Sequence, residues 1–387
     1  MKLHPRLLLG DIAESIDYGV TASAAQQPVG PKFLRITDIQ DGGVDWSQVP
    51  WCECPRREVG QSALRPGDIV FARTGATTGK SFSIRDCPDN AVFASYLIRV
   101  RLGEQADPGY VSHFFQSADY WSQITKSARG AAQPGVNATT LRSLEVPLPP
   151  LPEQRRIAAI LDHAEALRVE RRAALAKLDT LAQSIFIEMF GDPFSNPKGW
   201  PTMALREIAS TTSGGTPDRS IQAYFEGSIP WVKSGEIHQG VVTHTSECIS
   251  EAALANSAAK VLPVGTVLVA MYGATVGAVG VLGIKAATNQ AICCITLGQS
   301  VASDYFVNFM KGSTTSLLAK RVGGAQPNLS QDLIRNLRIP IPPLELQMRF
   351  AEIQKALATV RGDGEDSLDR LDGLFSSLQH RAFRGEL

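Results

Sequence analysis

The stretch from Gly75 to Ser81, GATTGKS, comes nearest to a chemical motif in this chain. It follows the apolar run Ile69 to Ala72 and approaches GxxxxGK[ST], a loop whose backbone N–H groups and lysine cradle phosphates. One residue is missing between the glycines, because position 74 is Thr74. A second copy, GATVGAV from Gly273, has Ala278 where Lys80 stands. A cradle that lacks its lysine in one of two copies reads as a shared structural turn. The cysteines offer no metal site: Cys52 and Cys54 would share one face of a strand, but no second pair follows at zinc spacing. The remaining cysteines, Cys87, Cys248, Cys293 and Cys294, read as reduced thiols of a cytoplasmic protein. The six histidines form no ligand pattern; His238 and His244 read as loop residues in solvent. No Gly-x-Gly-x-x-Gly opens a helix after a strand, and no Asn/Asp-Pro-Pro-Tyr/Phe occurs, so an adenine methyltransferase pocket is not expected. The chain therefore reads as non-catalytic.

The elements that carry these residues occur twice. Gly130 to Ile160 (GAAQPGVNATTLRSLEVPLPPLPEQRRIAAI) aligns without a gap to Gly323 to Ile353 (GGAQPNLSQDLIRNLRIPIPPLELQMRFAEI), with 14 of 31 positions identical. The period is about 195 residues, half the chain. Shared positions include Gln133/Gln326, Pro134/Pro327, Gln154/Gln347 and Arg156/Arg349. More loosely, LRPGDIVFARTGATTG from Leu64 matches LPVGTVLVAMYGATVG from Leu262, and FLRITDI from Phe33 matches WVKSGEI from Trp231. Each half thus runs through a β-rich stretch, a helical stretch (109–128; 304–322), a Gly/Gln/Pro loop, a proline-rich hinge and a long helix. Strands precede helices, so the fold class is α+β.

From Glu153 to Phe190 there is neither proline nor glycine. Apolar residues recur at spacings of three and four, from Ile157, Leu161 and Ala164 to Ile185 and Met189, the stripe of a single helix. Pro152 suits its first turn, Glu153 its positive end, and Gly191 with Pro193 its stop. About 38 residues make a rod of roughly 57 Å. A second rod runs from about Leu344 to Phe383, with Phe350, Ile353, Leu357, Val360, Leu368, Leu371, Phe375 and Leu378 as its stripe. Gly362-Asp363-Gly364 is expected to bend or fray it. Neither stripe can hide itself, so the economical arrangement is an antiparallel coiled coil that buries both and holds two similar domains apart. The boundaries expected are 1–152 and 191–343 for the β-rich domains, and 153–190 and 344–387 for the helices.

Lys+Arg and Asp+Glu are both 38, giving a net charge of zero. That argues weakly against a nucleic-acid partner, so any phosphate contacts must come from local clusters. Val261 to Ile284 is uncharged and long enough to suggest a membrane span. Its proline and five glycines favour two buried strands with turns, and the matching stretch of the first half carries Arg65, Asp68, Arg73 and Lys80. The opening MKLHPRLLLGD is too short in apolar residues for a signal peptide.

Several blocks resemble one family. MFGDPFSNPKGWP at Met189 to Pro201, PLPPLPEQRRIAAILD at Pro147 to Asp162 with its echo PIPPLELQMRF, and the loop GGAQPNLS at Gly323 to Ser330 are similar to the specificity subunits of type I restriction–modification enzymes. The resemblance covers the whole chain in order: target-recognition domain, long helix, target-recognition domain, long helix. One departure is Glu345-Leu346-Gln347, where the first copy has Pro152-Glu153-Gln154. The resemblance implies two modification subunits that use S-adenosylmethionine to methylate adenine. It also implies a restriction/translocase subunit that can join, using ATP and Mg, with no cofactor in this chain. It further implies that each domain reads one half of a split double-stranded DNA target, and that the coiled coil spans the unspecified gap and docks the modification subunits. Two other readings stay open: the specificity module of a type IIB-like system, and a coiled-coil protein-interaction scaffold with no DNA role.

A split reader needs two patches that place polar side chains at base edges while cations hold phosphates. The candidates in the first half are Arg73, Thr74, Thr77 and Lys80 in the Gly-rich turn, with Lys126, Arg129 and Gln133 near the later loop. Those in the second half are Lys233, Tyr272, Thr275, Lys320, Arg321, Gln326 and Asn328. Shared residues such as Gln133/Gln326 and Gly75/Gly273 read first as builders of a common turn, because residues that read different sequences should differ between the halves. Positions that differ between halves, such as Arg73, Lys80 and Tyr272, suit the reading of two different sequences.

Overall fold

The computed structural model describes residues 4–40, 42–128, 135–319 and 328–387. The chain forms two compact units: residues 1–172 with 366–387, and residues 173–365. Each takes part of both long helices, which run from Leu151 to Phe190 and from Leu344 to Arg384.

In the first unit, strands Ala13–Tyr18, Leu97–Leu102, Ile69–Ala72 and Ser81–Ser83 form an antiparallel sheet in that order. In the second unit, Ala209–Ser213, Ile292–Leu297, Val267–Ala270 and Val279–Leu282 repeat that order, and Val241–Val242 adds a parallel edge. The central strands, IVFA and VLVA, are buried on both faces, which is why they read as unbroken apolar runs. Their side chains alternate between two cores. Ile69 and Phe71 face the helical side with Tyr110, Phe114 and Tyr120, whereas Val70 faces Leu34, Phe93 and Leu97. Val267 and Val269 join Tyr305 and Phe309, whereas Leu268 and Ala270 join Val232 and Ile292. The uncharged stretch 261–284 is therefore two strands and their turn. Among the described residues no helix is long and apolar enough to cross a membrane.

Three local expectations need correction. The helical stretch 109–128 is two helices, Pro108–Phe114 and Ala118–Ala128, broken where the Ser117 hydroxyl accepts from the Tyr120 N–H. The counterpart in the second unit, Ser303–Ala319, is continuous. Cys52 closes the short strand Trp51–Cys52 and is buried, and Cys54 lies beyond the strand's end.

The third correction concerns Gly362-Asp363-Gly364, which does not fray or end the second long helix: it runs unbroken from Leu344 to Arg384. A Cβ on Gly364 would stand 2.8 Å from Leu175 Cδ2, so this glycine lets the two helices approach. Gly362 has open space where its Cβ would be. Gly362→Ala is therefore expected to stabilise the protein by about 1 kcal/mol, the helix-propensity difference. Gly364→Ala should yield less, because Leu175 must move. Urea unfolding of both variants checks this.

Within the second unit, the helices run antiparallel: Leu175 lies against Gly364, and Phe186 and Phe190 against Phe350. Within the first, Arg156 reaches the Leu387 carbonyl oxygen and Arg168 pairs with Asp372. The seam is less complete than the stripes suggest. Between residues 165 and 185 no described residue is buried, and Leu167, Leu181, Val360 and Leu374 are exposed. Burial concentrates instead where the helices meet the domain cores, at Ile157, Leu161, Phe375 and Phe383 in one unit and at Phe186, Phe190 and Phe350 in the other.

The block after Phe190 finishes the first helix. Gly191 adopts φ +82°, Lys198 Nζ donates to the carbonyls of Glu188 and Met189, and Trp200 Nε1 donates to that of Phe190. These are last-turn carbonyls that have no partner within the helix.

Candidate nucleic-acid interface

The Gly-rich stretches link antiparallel strands instead of leading into a helix, so they are hairpin turns and not phosphate cradles. The two copies match bond for bond. In the first, Thr78 N–H donates to the Gly75 carbonyl, Gly79 N–H to Ala72 and Lys80 N–H to Thr77. In the second, Val276 donates to Gly273, Gly277 to Ala270 and Ala278 to Thr275. Gly75, Gly79, Gly273 and Gly277 all have φ between +82° and +87°, which only glycine adopts freely. The shared glycines build the turn, with Ala76 and Ala274 exposed at its tip and Val276 packed against the core.

Beside each hairpin lies the backbone that follows the loop of the second candidate region. Val136 N–H donates to the Arg73 carbonyl at 3.0 Å, and Leu329 N–H to the Met271 carbonyl at 2.7 Å. The helix leading into the loop packs on the hairpin: Trp121 and Ile124 contact the site of a Cβ on Gly79, and Leu318 that on Gly277. In each unit the hairpin thus contacts both the helix that precedes the loop and the backbone that follows it.

The individual candidates differ in what they can do there. Thr74, Lys80 and Lys126 are exposed, and Thr77 is half-buried. Lys80 and Lys126 make no ion pair among the described residues, so each is available to a phosphate. We expect Lys80→Ala and Lys126→Ala each to lower the slope of log affinity against log salt by about 0.9, the value for one phosphate contact. Titrating DNA binding of the assembled complex across salt concentrations measures it. Arg73 is already engaged: it donates to the Ser95 carbonyl at 2.7 Å and lies 4.5 Å over the Tyr18 ring. Lys233 is engaged too, 2.7 Å from Glu247, whose carboxyl is held below its usual range by hydrogen bonds from Lys233 and then Arg219. Arg73 and Lys233 are thus placed to hold their own domains together. Arg129, Gln133, Lys320, Arg321 and Gln326 lie outside the described residues.

In the second unit the candidates Tyr272 and Asn328 meet in an open cleft of about 600 Å³, lined also by Ser213, Gln290, Ser330 and Gln331. The Tyr272 hydroxyl donates to the Gln290 carbonyl at 2.5 Å, and Gln331 Nε2 donates to Thr211 Oγ1 at 3.3 Å. Thr275 is half-buried on the hairpin. Gln290, Ser213 and Gln331 are additions that the sequence reading missed. The available signal was the turn Asn289-Gln290-Ala291 between two buried strands, where Gln290 and Ala291 take the place of Ser95 and Tyr96 in the first unit.

A second pair of shared residues proves to be structural. Gln154 and Gln347 are fully buried at the starts of the long helices. Gln154 Oε1 accepts from the Asp107 N–H, and its Nε2 donates to the carbonyls of Gln105 and Pro149. Gln347 Oε1 accepts from the Ala302 N–H, and its Nε2 donates to the Pro342 carbonyl. Tyr110 and Tyr305 act in parallel, each donating its hydroxyl hydrogen to the carbonyl of a hinge proline, Pro147 or Pro340.

Comparison with known proteins gives a consistent picture. Residues 58–177 and 197–361 match the model of the type I restriction modification DNA specificity domain. The chain is 27% identical over 194 residues to the type I restriction enzyme EcoKI specificity subunit of Escherichia coli K12, covering 48% of this chain and 42% of that one. It is 24% identical over 378 residues to the putative type I restriction enzyme MjaX specificity subunit of Methanocaldococcus jannaschii, covering 90% and 85%. A chain solved in work on complex assembly and conformational transition of the type I R-M system shares the fold, with a TM-score of 0.64, 22% identity and 100% coverage of both chains.

Proposed function

The chain belongs to the type I restriction modification DNA specificity domain family; from that premise we propose that it is a DNA-target-specifying subunit, not the enzyme itself, and that it directs modification subunits to a two-part duplex target. One observation carries the reading. The two units build the same hairpin bond for bond but carry different side chains on it, as a reader of two different half-sites requires. Each unit reads one half-site, with Lys80 and Lys126 holding phosphates in the first and the Tyr272–Asn328 cleft facing bases in the second. The paired long helices set the gap between half-sites. Exposed apolar residues on the helices, Leu167, Val169 and Leu374 in the first unit and Leu181, Ile187 and Val360 in the second, offer docking positions for the modification subunits. S-adenosylmethionine, and ATP with Mg where a restriction/translocase subunit joins, belong to those partners, and the complex works in the cytoplasm.

Mapping methylated adenines genome-wide in a host with and without this gene tests the proposal. A motif of two short specified parts flanking an unspecified gap should disappear on deletion. A methylation pattern that survives deletion intact would refute it.

A further inference from the structure

Building on that reading, we propose that Gln290 is a specificity-determining residue, and that its carboxamide reads an adenine of one A·T pair in the half-site assigned to the second unit. Gln290 stands in the turn between strands Ala287–Thr288 and Ile292–Leu297. The turn is fastened on several sides. The Asn289 N–H donates to the Val232 carbonyl, and Asn289 Oδ1 accepts from the Ala291 N–H at 3.2 Å. The Gln290 carbonyl accepts from the Tyr272 hydroxyl at 2.5 Å. The side chain is oriented as well, since Oε1 accepts from the Thr216 hydroxyl. Yet Gln290 is exposed and lines the open cleft with Tyr272 and Asn328.

A carboxamide has two donor hydrogens and two acceptor positions. Thr216 occupies one acceptor position, which leaves Nε2 and the second lone pair of Oε1 side by side. Adenine presents the complement in the major groove, the N7 acceptor beside the N6 amino donor. A rotamer fixed before binding loses less entropy on meeting the base. The first unit strengthens the assignment. There the Ser95 carbonyl accepts from Arg73 as the Gln290 carbonyl accepts from Tyr272, so Ser95 and Gln290 do the same backbone work with different side chains. That is the pattern required of a position that reads a different base in each half-site.

The test uses the assembled complex with its modification subunits. Wild type, Gln290→Ala and Gln290→Glu are measured for binding to duplexes carrying the mapped motif and every single-base change of it. Gln290→Ala should lose roughly 10- to 100-fold of its discrimination at one A·T pair of one half-site, with every other position unchanged. Gln290→Glu should move the preference at that pair toward cytosine, because a carboxylate accepts from the N4 amino group and has no hydrogen for adenine N7. An equal loss of affinity on all duplexes, or an unaltered profile, would overturn the assignment. A wild-type complex without any sequence preference would instead sink the reading on which it rests.

Discussion

Gln154→Leu should destabilise the first unit by about 3–5 kcal/mol, a large share of the 5–15 kcal/mol that holds an ordinary domain folded. Leucine keeps the approximate volume and suits the buried site. It leaves the Asp107 N–H and the Gln105 and Pro149 carbonyls, however, without the partner that Gln154 gives them. Each buried backbone group left unpaired costs about 1–3 kcal/mol, and local relaxation recovers part of the sum. Gln154→Glu should not rescue: it can accept from Asp107 but cannot donate to two carbonyls, and it buries a charge. Urea unfolding should show the first unit's transition moving to lower denaturant while the second's stays. Gln347→Leu should move the other transition, and by less, since Gln347 serves one N–H and one carbonyl. A shift under about 1 kcal/mol in the Gln154 variant would mean that water replaces the side chain and that the staple is not structural.

This pair shows where sequence reading reaches and where it stops. That Gln154 and Gln347 matter was visible from the repeat, because identical residues at matching places in two diverged halves need a common cause. Their role was not, since a glutamine in a helix's first turn looks the same whether it faces water or a buried backbone. The hairpins were legible for a related reason: the loss of Lys80's counterpart at Ala278 separated a shared turn from a phosphate site. Central strands such as Ile69–Ala72 declared themselves by unbroken apolar runs, and the long helices by their period. The cleft was only half legible. Tyr272 and Asn328 were found by divergence and by the polar loop, but Gln290 owes its place to Thr216, which is 74 positions away. No local pattern reports a contact of that separation. Likewise, Arg73 and Lys233 looked like free cations in the sequence, and only the fold brings them the Ser95 carbonyl and Glu247.

The same limit applies to the long helices, where a regular stripe overstated how evenly the seam is buried. In the second unit, Phe350 is fully buried, with its ring centroid 5.5 Å from that of Phe186 and 5.4 Å from that of Phe190. Tyr305 completes the cluster, 4.8 Å from Phe190, and its hydroxyl is tied to Pro340. One aromatic group thus clamps both helices to the domain core and to the hinge. Ten residues further along, Val360 sits on the apolar stripe by spacing but is 55% exposed. Phe350→Ala should therefore cost about 3–5 kcal/mol, because it opens a cavity and breaks the edge-to-face contacts. Val360→Ala should stay within about 0.5 kcal/mol of the parent, because there is little burial to lose and alanine is the better helix former. Thermal and urea unfolding of the two variants side by side distinguish a seam that contributes evenly along its length from helices held at discrete aromatic clamps. Comparable losses in both variants would favour the even seam, whereas a wide gap between them follows only if the clamp carries the attachment.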